Sequence, residues 1–360
     1  MAPLAKRLRE GRLNHTDGGR ADRSRLRPEL REMLEAAERL GTPSNDELGV
    51  ARARAASEVS LAGHWDLKDE LPPPLTFTLG DAAIRCRLYR GGDAKGTLLF
   101  LHGGGWIVGS LDTHDGAARA LAKAAGSNLL SVEYRKAPEQ PFPAGLNDAE
   151  TALRWLITEG ASLGLSDRVV VAGDSAGANI AAALALRARD RAIPLAGQML
   201  IYPATDLAHE TASTSAFARG FFLSRATLRW YIANYLSGAD PTDPDASPLL
   251  APDLSGLCPT LLVTADHDPL RDEGRAYATR LMEAGNAVTF REWPGTTHGF
   301  MIMAGITPAA RELIGVMGAW ARRSQSGLPP PCGEGSAAGR SRSEAEALDA
   351  PASVRLHILL

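Results

Sequence analysis

The sequence predicts an α/β protein in which a mostly parallel, eight-stranded sheet is flanked by helices. Two observations support this prediction. From residue 75 onward, strand-like segments alternate along the chain with helix-like segments, which is the pattern of helices packed on a parallel sheet. The later strand-like segments are continuous apolar runs without polar alternation. Such runs are expected when helices cover both faces of the sheet.

The chain before the sheet divides into a polar start and two helices. Residues 1–27 are polar and rich in glycine and arginine, and we expect them to be disordered. A helix begins at Pro28, because proline suits the first helical position, and it ends at Gly41, because glycine is common just past a helix end. A second helix is predicted over residues 44–62. Residues 28–70 are therefore assigned to N-terminal helices outside the sheet.

Residues 71–323 contain the predicted sheet and its helices. The second strand alternates and places Ile84, Cys86 and Leu88 on one face, so Cys86 is interpreted as a small core residue. The predicted strands are residues 75–79, 83–90, 97–101, 128–134, 168–172, 197–202, 260–265 and 288–293. The predicted helices lie near residues 113–125, 145–159, 175–190, 224–236, 271–284 and 308–323.

Two segments fall outside this alternation. Residues 204–223 follow the sixth strand and fit neither a strand nor the next helix. Residues 324–360 are rich in Gly, Ser, Ala and Pro, a composition that cannot assemble a core. We expect a disordered tail whose apolar ending, residues 355–360, is frayed.

Composition limits the class of protein. The chain has 360 residues, and 44% of them are hydrophobic, which is enough to bury a large core. The balance of 39 basic and 42 acidic residues gives a net charge of −3, which provides no electrostatic basis for binding nucleic acid or an anionic membrane. No apolar run is long enough for a secretory signal or a membrane span. Three scattered cysteines argue against a disulfide framework and a zinc site, and a cytoplasmic location is predicted.

The most informative stretch is the pentapeptide Gly173-Asp174-Ser175-Ala176-Gly177, which follows an apolar strand and opens a helix. In such a strand–turn–helix elbow the chain bends too sharply for side chains at both flanks. Glycines therefore lie two residues on either side of the serine, and its hydroxyl projects from the sheet. We interpret Ser175 as a nucleophile, although the pattern alone also occurs at structural serines.

A glycine-rich loop, His102-Gly103-Gly104-Gly105-Trp106, follows the third strand. Without Cβ atoms, its backbone can approach a substrate closely and present N–H groups to a developing oxyanion. His102 is expected to shape this loop through hydrogen bonds rather than to transfer a proton.

A base and an acid occur after the last two strands. His298 follows the eighth predicted strand and Asp268 the seventh, at the carboxyl edge where open α/β sheets place their sites. The chain order Ser, Asp, His is that of the α/β-hydrolase fold. Asp266 and Asp272 are alternatives for the acid, because Asp272 also suits a first helical turn and Asp266 a turn cap.

Taken together, these motifs resemble those of bacterial esterases of the hormone-sensitive lipase family, the α/β-hydrolase group marked by an HGGGW-type loop ahead of the serine elbow. The resemblance covers about residues 28–323. Two positions depart from the family pattern: Lys136 replaces a residue that is more often apolar, and His267 precedes the acid. The further matching motifs are Tyr134-Arg135-Lys136-Ala137-Pro138-Glu139, Pro141-Phe142-Pro143-Ala144, Asp268-Pro269-Leu270-Arg271-Asp272-Glu273-Gly274 and His298-Gly299-Phe300.

The resemblance implies Ser175 as the nucleophile, His298 as the general base and Asp268 as the residue that orients the base. It also implies an oxyanion hole formed by the backbone N–H groups of Gly103, Gly104 and Ala176. The implied reaction is hydrolysis of short- to medium-chain carboxylic esters through an acyl-enzyme. The implied partners are the ester and water, and no metal or cofactor is needed.

In this family, segments equivalent to residues 28–70 and 204–223 form a helical cap over the site, so substrate choice is expected to depend on them. The candidate residues for an acyl pocket are Trp106, Phe217, Phe221 and Phe222, and ordinary core packing is the alternative. Asp174 and Glu139 are expected to brace loops.

Two other functions share this scaffold. Some relatives are ligand receptors that have lost the catalytic histidine, whereas His298 is present here. An amide or carbon–carbon hydrolase is the second alternative. The sequence leaves a homodimer open.

Overall fold

The computed structural model describes residues 22–62, 71–92, 96–327 and 357–358. These ranges contain one nine-stranded sheet in the order β1-β2-β4-β3-β5-β6-β7-β8-β9. Strand β2 pairs antiparallel with β1 and β4, and all other neighbours are parallel. The strands are β1 Leu75–Leu79, β2 Ile84–Tyr89, β3 Thr97–Leu101, β4 Asn128–Glu133, β5 Val169–Asp174, β6 Gly197–Ile201, β7 Thr260–His267, β8 Val288–Thr297 and β9 His357–Ile358.

The helices agree with the predicted segments to within about two residues in most cases. They are α1 Pro28–Arg39, α2 Asn45–Leu48, α3 Val50–Ala62, α4 Asp115–Ala125, α5 Ala144–Thr158, α6 Ala176–Asp190, α7 Ala212–Ala216, α8 Arg225–Leu236, α9 Arg271–Glu283 and α10 Ala309–Gln325. Short 3₁₀ turns lie at Gly160–Leu163, Pro248–Leu250 and Phe300–Ile302. Among the described residues, no helix combines the length and the apolar character needed to cross a membrane.

Three predictions about element bounds need correction. The single helix predicted over residues 44–62 is two helices, because Gly49 adopts φ +73° and ψ 168° and interrupts the hydrogen-bond ladder. The strands β7 and β8 continue beyond their apolar runs, and His267 pairs with Thr297. Polar residues that were expected in loops therefore lie on paired strand ends.

The two chain termini, predicted to be disordered, are only partly described. Residues 1–21 and most of the tail lie outside the described ranges. Helix α10 continues to Gln325, and β9 pairs parallel with β8. The prediction of a frayed ending is wrong for these two residues of β9, because their backbone adds a ninth strand to the sheet.

The core lies on both faces of the sheet, as the apolar runs predicted. Leu99, Leu101 and Val171 belong to a buried cluster on the face covered by α5, α6 and α9. Leu98 and Phe100 belong to a second cluster, on the face covered by α4 and α10. Cys86, predicted to be a core residue, is also fully buried in the first cluster, and this burial raises the pKa of its thiol to about 12.

Helix α1 attaches to the end of β8. Leu30 is fully buried in the cluster that contains Trp293 and Phe300. The N–H of Arg27 donates a 2.9 Å hydrogen bond to the carbonyl of Gly295, and the Arg27 guanidinium pairs with Glu312 at 2.8 Å. The start of α1 is therefore fixed to the strand end that precedes His298.

Helices α2 and α3 contact the glycine-rich loop and α8. The hydroxyl of Thr227 on α8 donates a 2.6 Å hydrogen bond to Asp46. On α3, Arg54 donates 2.9 Å hydrogen bonds to the carbonyls of Ile107 and Ala137 and pairs with Glu139. This pairing agrees with the bracing role expected of Glu139.

The docking of α1 predicts a stability difference between two leucines. Leu30→Ala removes a fully buried side chain and is expected to lower the free energy of unfolding by about 2–5 kcal/mol, because the change leaves a cavity. Leu40, just beyond α1, is 81% exposed, so Leu40→Ala is expected to change the free energy of unfolding by less than about 0.5 kcal/mol. Urea unfolding of both variants measures the difference. Equal losses would contradict the docking of α1 on the core.

Candidate active site

Ser175 lies at a strained turn between β5 and α6. Its backbone has φ 54° and ψ −119°, a region that costs on the order of 1–3 kcal/mol for a residue with a Cβ atom. The N–H of Ser175 donates a 2.8 Å hydrogen bond to the carbonyl of Ile201. A Cβ atom at Gly177 would overlap the carbonyl of Leu101, so only glycine lets the helix start so close to β3. The predicted elbow is present.

The structure joins Ser175, His298 and Asp268 by hydrogen bonds. The Nε2 atom of His298 lies 2.8 Å from Oγ of Ser175, and its Nδ1 atom lies 2.7 Å from Oδ2 of Asp268. Asp268 is fully buried, and its other oxygen accepts a 2.8 Å hydrogen bond from the N–H of Leu270. The imidazole is therefore held between a hydroxyl and a buried carboxylate.

The two rival carboxylates make other contacts. Asp266 accepts hydrogen bonds from the N–H groups of Gly295 and Thr296 at 2.9 and 3.0 Å. Asp272 lies in the first turn of α9 and accepts a 2.9 Å hydrogen bond from the N–H of Ser213. The geometry therefore favours Asp268 over both alternatives.

The oxyanion prediction needs one correction. The N–H of Gly103 donates a 2.8 Å hydrogen bond to Oδ1 of Asp174, so it is occupied and is not available to a substrate. The N–H groups of Gly104, Gly105 and Ala176 make no hydrogen bond to any described residue. The donor set that fits an oxyanion is therefore shifted by one glycine, from Gly103 to Gly105.

The glycine-rich loop is held by its own backbone and by a lysine. Gly104 has φ +122°, and a Cβ atom there would overlap the carbonyl of Val108. The Gly104 carbonyl accepts hydrogen bonds from the N–H groups of Ile107 and Val108 at 3.1 and 2.9 Å. Lys136, where the family more often has an apolar residue, donates a 2.8 Å hydrogen bond to the carbonyl of Gly109, three residues beyond the loop. This lysine therefore fixes the chain that follows the loop.

A buried polar cluster lies beneath this loop. His102 is fully buried, and its Nδ1 atom lies 2.8 Å from the carbonyl of Gly103. Burial, and then the charge of Lys136, holds the pKa of His102 well below its ordinary value. Asp174 lies 3.3 Å from Nε2 of His114. These contacts agree with the shaping role expected of His102 and the bracing role expected of Asp174.

Three of the four aromatic residues predicted for an acyl pocket are in packing clusters. Trp106 is 2% exposed, stacks on Tyr235 with ring centroids 4.4 Å apart, and donates a hydrogen bond to Asn179. Phe217 and Phe221 pack against each other, with centroids 5.1 Å apart. These contacts match the packing alternative.

Phe222 has a different environment. Its side chain is 50% exposed. A Cβ atom built on Gly299, the residue after His298, would lie 2.9 Å from the Phe222 ring. Phe222 is therefore the one predicted aromatic residue that combines exposure with a position beside the imidazole loop.

The segment 204–223 is tied to the helix that follows Asp268. Glu273 on α9 is 2% exposed and accepts a 2.6 Å hydrogen bond from the N–H of Thr205. The hydroxyl of Ser213 donates a 2.8 Å hydrogen bond to the carbonyl of Pro269. A cavity of about 270 Å³ lies between this segment, α8 and α9, and Leu207, Leu228, Ile232 and Glu273 are among its lining residues.

Two contributors to the site were missed in the sequence. Tyr202 is 1% exposed, and its ring packs on that of His298 with centroids 4.7 Å apart. Asn179, a buried amide in the alanine-rich helix α6, donates hydrogen bonds to the carbonyls of Ala204 and Ala246 at 2.9 and 2.8 Å. The sequence did contain a signal for Asn179, because a single polar residue in an otherwise apolar stretch of helix indicates a buried side chain that makes hydrogen bonds. Within the described ranges, no group of His, Cys, Asp and Glu side chains is arranged to hold a metal ion.

Comparison with known proteins identifies the family of this chain. Residues 98–302 match the family described as alpha/beta hydrolase fold. The chain is 39% identical to the carboxylic ester hydrolase LipN of Mycobacterium tuberculosis over 339 residues, which cover 88% of this chain and 87% of that protein. It is also 39% identical to the ethyl acetate hydrolase of Pseudomonas putida over 266 residues, which cover 71% of this chain and 83% of that protein.

The similar solved structures include two ester hydrolases. An ester hydrolase from the metagenome of Lake Arreo, solved with a derivative of bipyridine phosphonate, is 41% identical with a TM-score of 0.77, and the match covers 82% of this chain and 98% of that one. A thermostable esterase from Pseudomonas putida is 33% identical with a TM-score of 0.79, covering 84% and 98% of the two chains.

The burial of Glu273 predicts a dependence of stability on pH. Burial raises the pKa of Glu273 well above its ordinary value, although hydrogen bonds from the N–H groups of Thr205 and Asp206 oppose this effect. The folded state holds the Glu273 proton more tightly than the unfolded state does. The contribution of Glu273 to the free energy of unfolding is therefore fully present below the unfolded-state pKa, about 4, and is lost as the pH rises from that value through the folded-state pKa.

Glu273→Gln removes the titration and retains an acceptor oxygen. The free energy of unfolding of the wild type is therefore expected to fall relative to that of Glu273→Gln as the pH rises from about 4 to neutrality. Urea unfolding across this pH range measures the difference. A difference that stays constant over the range would contradict the raised pKa.

Proposed function

Because the chain belongs to the α/β-hydrolase family, and within it to the hormone-sensitive lipase group of carboxylic ester hydrolases, we propose that Ser175, His298 and Asp268 are the residues that hydrolyse the ester. The observation that carries the proposal is the pair of hydrogen bonds, 2.8 and 2.7 Å long, that link the hydroxyl, the imidazole and the carboxylate.

Acylation begins at the serine hydroxyl. His298 accepts the proton of Ser175 through Nε2 as Oγ attacks the ester carbonyl carbon. The carbon–oxygen bond to the alcohol then breaks, and the alcohol leaves with the proton that the imidazole returns. The acid remains attached to Oγ as an acyl-enzyme. Asp268 keeps the Nδ1 proton in place and stabilises the imidazolium that forms between the two transfers.

The backbone N–H groups of Gly104, Gly105 and Ala176 are proposed to bind the oxyanion. They are free of internal hydrogen bonds in the described chain, and Ala176 is also the first residue of α6, where N–H groups point out of the helix. Donors that are fixed before the reaction stabilise the charge without reorganisation, and the loss of one donor costs on the order of 3 kcal/mol.

Deacylation repeats the same steps with water. His298 removes a proton from a water molecule, which attacks the acyl carbonyl, and the Oγ bond breaks as Ser175 regains its proton. The carboxylic acid is released, and the residues return to their starting protonation states. The alternative of a receptor without catalysis is not favoured, because His298 is present and in hydrogen-bond contact with Ser175.

We propose that residues 28–62 and 204–223 form a cap that limits the substrate to short and medium acyl chains; residues 63–70, also predicted to belong to the cap, lie outside the described ranges. Support comes from the hydrogen bond that Arg54 on α3 donates to the carbonyl of Ile107, next to the glycine-rich loop, and from the hydrogen bonds of Glu273 and Ser213 that hold the second segment. Phe222, half exposed beside Gly299, is the proposed apolar contact for the substrate.

Substitution of the triad tests the proposed mechanism. Ser175→Ala and His298→Ala are each expected to lower kcat by roughly 10⁶-fold, because the nucleophile and its base act as one unit. Asp268→Asn is expected to lower kcat by about 10⁴-fold, because the imidazole takes the wrong tautomer. The measurement is hydrolysis of a short-chain aryl ester. Ser162, which is exposed in the 3₁₀ turn before β5, gives the matched control Ser162→Ala, and full activity in Ser175→Ala would overturn the mechanism.

A series of aryl esters of increasing acyl length tests the proposed cap. The expected kcat/KM is highest for short and medium chains, because the seated segments limit the space for the acyl group. Phe222→Ala is expected to raise KM for medium-chain esters more than for acetate esters, while Leu75→Ala, at a remote exposed residue, changes neither. Fastest turnover on emulsified long-chain triglycerides would contradict the proposal.

A further inference from the structure

Asp266 holds the end of β8, the strand that leads to His298. Its two carboxylate oxygens accept hydrogen bonds from the N–H groups of Gly295 and Thr296, at 2.9 and 3.0 Å. These residues precede His298 by three and two positions. The position of the imidazole therefore depends on a backbone segment that is bound to a carboxylate on the neighbouring strand.

The strand pairing explains why these groups meet. Strands β7 and β8 are parallel, and their register shifts between Ala265 and His267. This irregularity leaves Asp266 outside the regular ladder, where its side chain points to the N–H groups of Gly295 and Thr296. A β-bulge of this kind commonly redirects a side chain next to an active site.

Asp266 is charged and well bound. Burial raises its pKa, but hydrogen bonds from His267 and from the N–H of Gly295 outweigh this effect and bring the pKa below its ordinary value. The Nδ1 atom of His267 lies 2.7 Å from Oδ1 of Asp266. Hydrogen bonds to an ionised carboxylate are about twice as strong as neutral ones, so the two N–H groups are held firmly.

His267 also contacts the segment 204–223. Its ring lies 5.5 Å from that of Phe217 and 5.7 Å from that of Phe221, measured between centroids. Phe221 is buried with Leu26 and Leu34, from the start of the described chain and from α1. One imidazole therefore touches both the aromatic pair of this segment and the carboxylate that binds the His298 loop.

We propose that Asp266 is a positioning residue for His298, and that His267 couples it to the aromatic pair Phe217 and Phe221. This proposal rests on the proposed function, in which His298 is the general base. Asp266 does not touch the reacting atoms. It fixes the backbone from which the imidazole reaches Ser175, and a displacement of about 1 Å there is enough to lower the rate by roughly 100-fold.

The experiment compares Asp266→Asn and Asp266→Ala with Asp253→Asn in the full chain. Asp253 is the matched control, because it lies before the start of β7, at the other end of this strand from Asp266, and its carboxylate also accepts a backbone hydrogen bond, 2.8 Å long, from Ser255. With a short-chain aryl ester, we expect kcat to fall about 10-fold in Asp266→Asn and about 100-fold in Asp266→Ala, with KM within about twofold of wild type. Asp253→Asn should stay within about twofold in kcat.

A double-mutant comparison separates positioning from general destabilisation. If Asp266 acts only through His298, then His298→Ala and His298→Ala/Asp266→Asn have the same residual rate. A kcat for Asp266→Ala within about twofold of wild type would overturn the proposal. It would also be overturned if Asp266→Asn lowered the residual rate of His298→Ala by the factor seen in the wild type. If Asp266→Ala does not fold, the isosteric Asp266→Asn decides by the same two criteria.

One further variant completes the test. His267→Phe keeps an aromatic ring against Phe217 and Phe221 and removes the donor to Asp266, so kcat is expected to fall by less than in Asp266→Asn. An unchanged kcat would overturn the part assigned to His267. The same variants test the proposed function separately. A wild-type rate in His298→Ala would refute the role of His298 as the general base. An inactive His298→Ala together with a fully active Asp266→Ala would refute only the positioning role of Asp266.

Discussion

The rest of the site depends on the backbone strain at Ser175. A φ of 54° is unfavourable for serine, and it persists because the surrounding structure holds the turn from both sides. The N–H of Ser175 is bound to the β6 carbonyl of Ile201, and Gly177 allows α6 to begin against the carbonyl of Leu101. Since β5 lies between β3 and β6 in the sheet, the packing of the whole core resists relaxation of this turn. The hydroxyl is thereby kept at the carboxyl edge of the sheet, where the neighbouring strand ends deliver the other groups.

Four acidic side chains hold the segments that form the site, and each has a different partner. Asp174 binds the N–H of Gly103 and fixes the glycine-rich loop. Asp268 binds the imidazole of His298, Asp266 binds the backbone that carries it, and Glu273 seats the segment 204–223. Each of these side chains joins two segments of the chain that are more than 25 residues apart in sequence. The site is therefore assembled by polar contacts between loops, on a scaffold fixed by apolar packing.

The sequence was sufficient to predict the fold and to predict that Ser175, Asp268 and His298 lie together, because both predictions depend on local patterns. Apolar runs identified the parallel strands, and the positions of Ser175, Asp268 and His298 just after the ends of β5, β7 and β8 placed them at one edge. It was insufficient where a contact depends on three-dimensional proximity. Gly103 and Gly105 are equivalent in the motif, and only the hydrogen bond from Gly103 to Asp174 separates them. Likewise, the sequence does not show which way an aromatic side chain of the segment 204–223 points. It therefore could not show that Phe217 and Phe221 pack together while Phe222 is exposed.

Strand ends and the strand β9 in the tail were also not predicted, because their pairing depends on three-dimensional proximity. Strands β7 and β8 continue through polar residues because their backbones still pair there, and a polar sequence does not reveal that pairing.

The decisive experiment is the reaction of the full chain with an active-site-directed aryl organophosphonate, followed by peptide mass spectrometry. If Ser175 is the nucleophile and His298 its base, we expect a single phosphonyl group on Ser175, loss of esterase activity in step with labelling, and much slower labelling in His298→Ala. An inactivated enzyme with Ser175 unmodified, or equal labelling rates with and without His298, would refute these two roles.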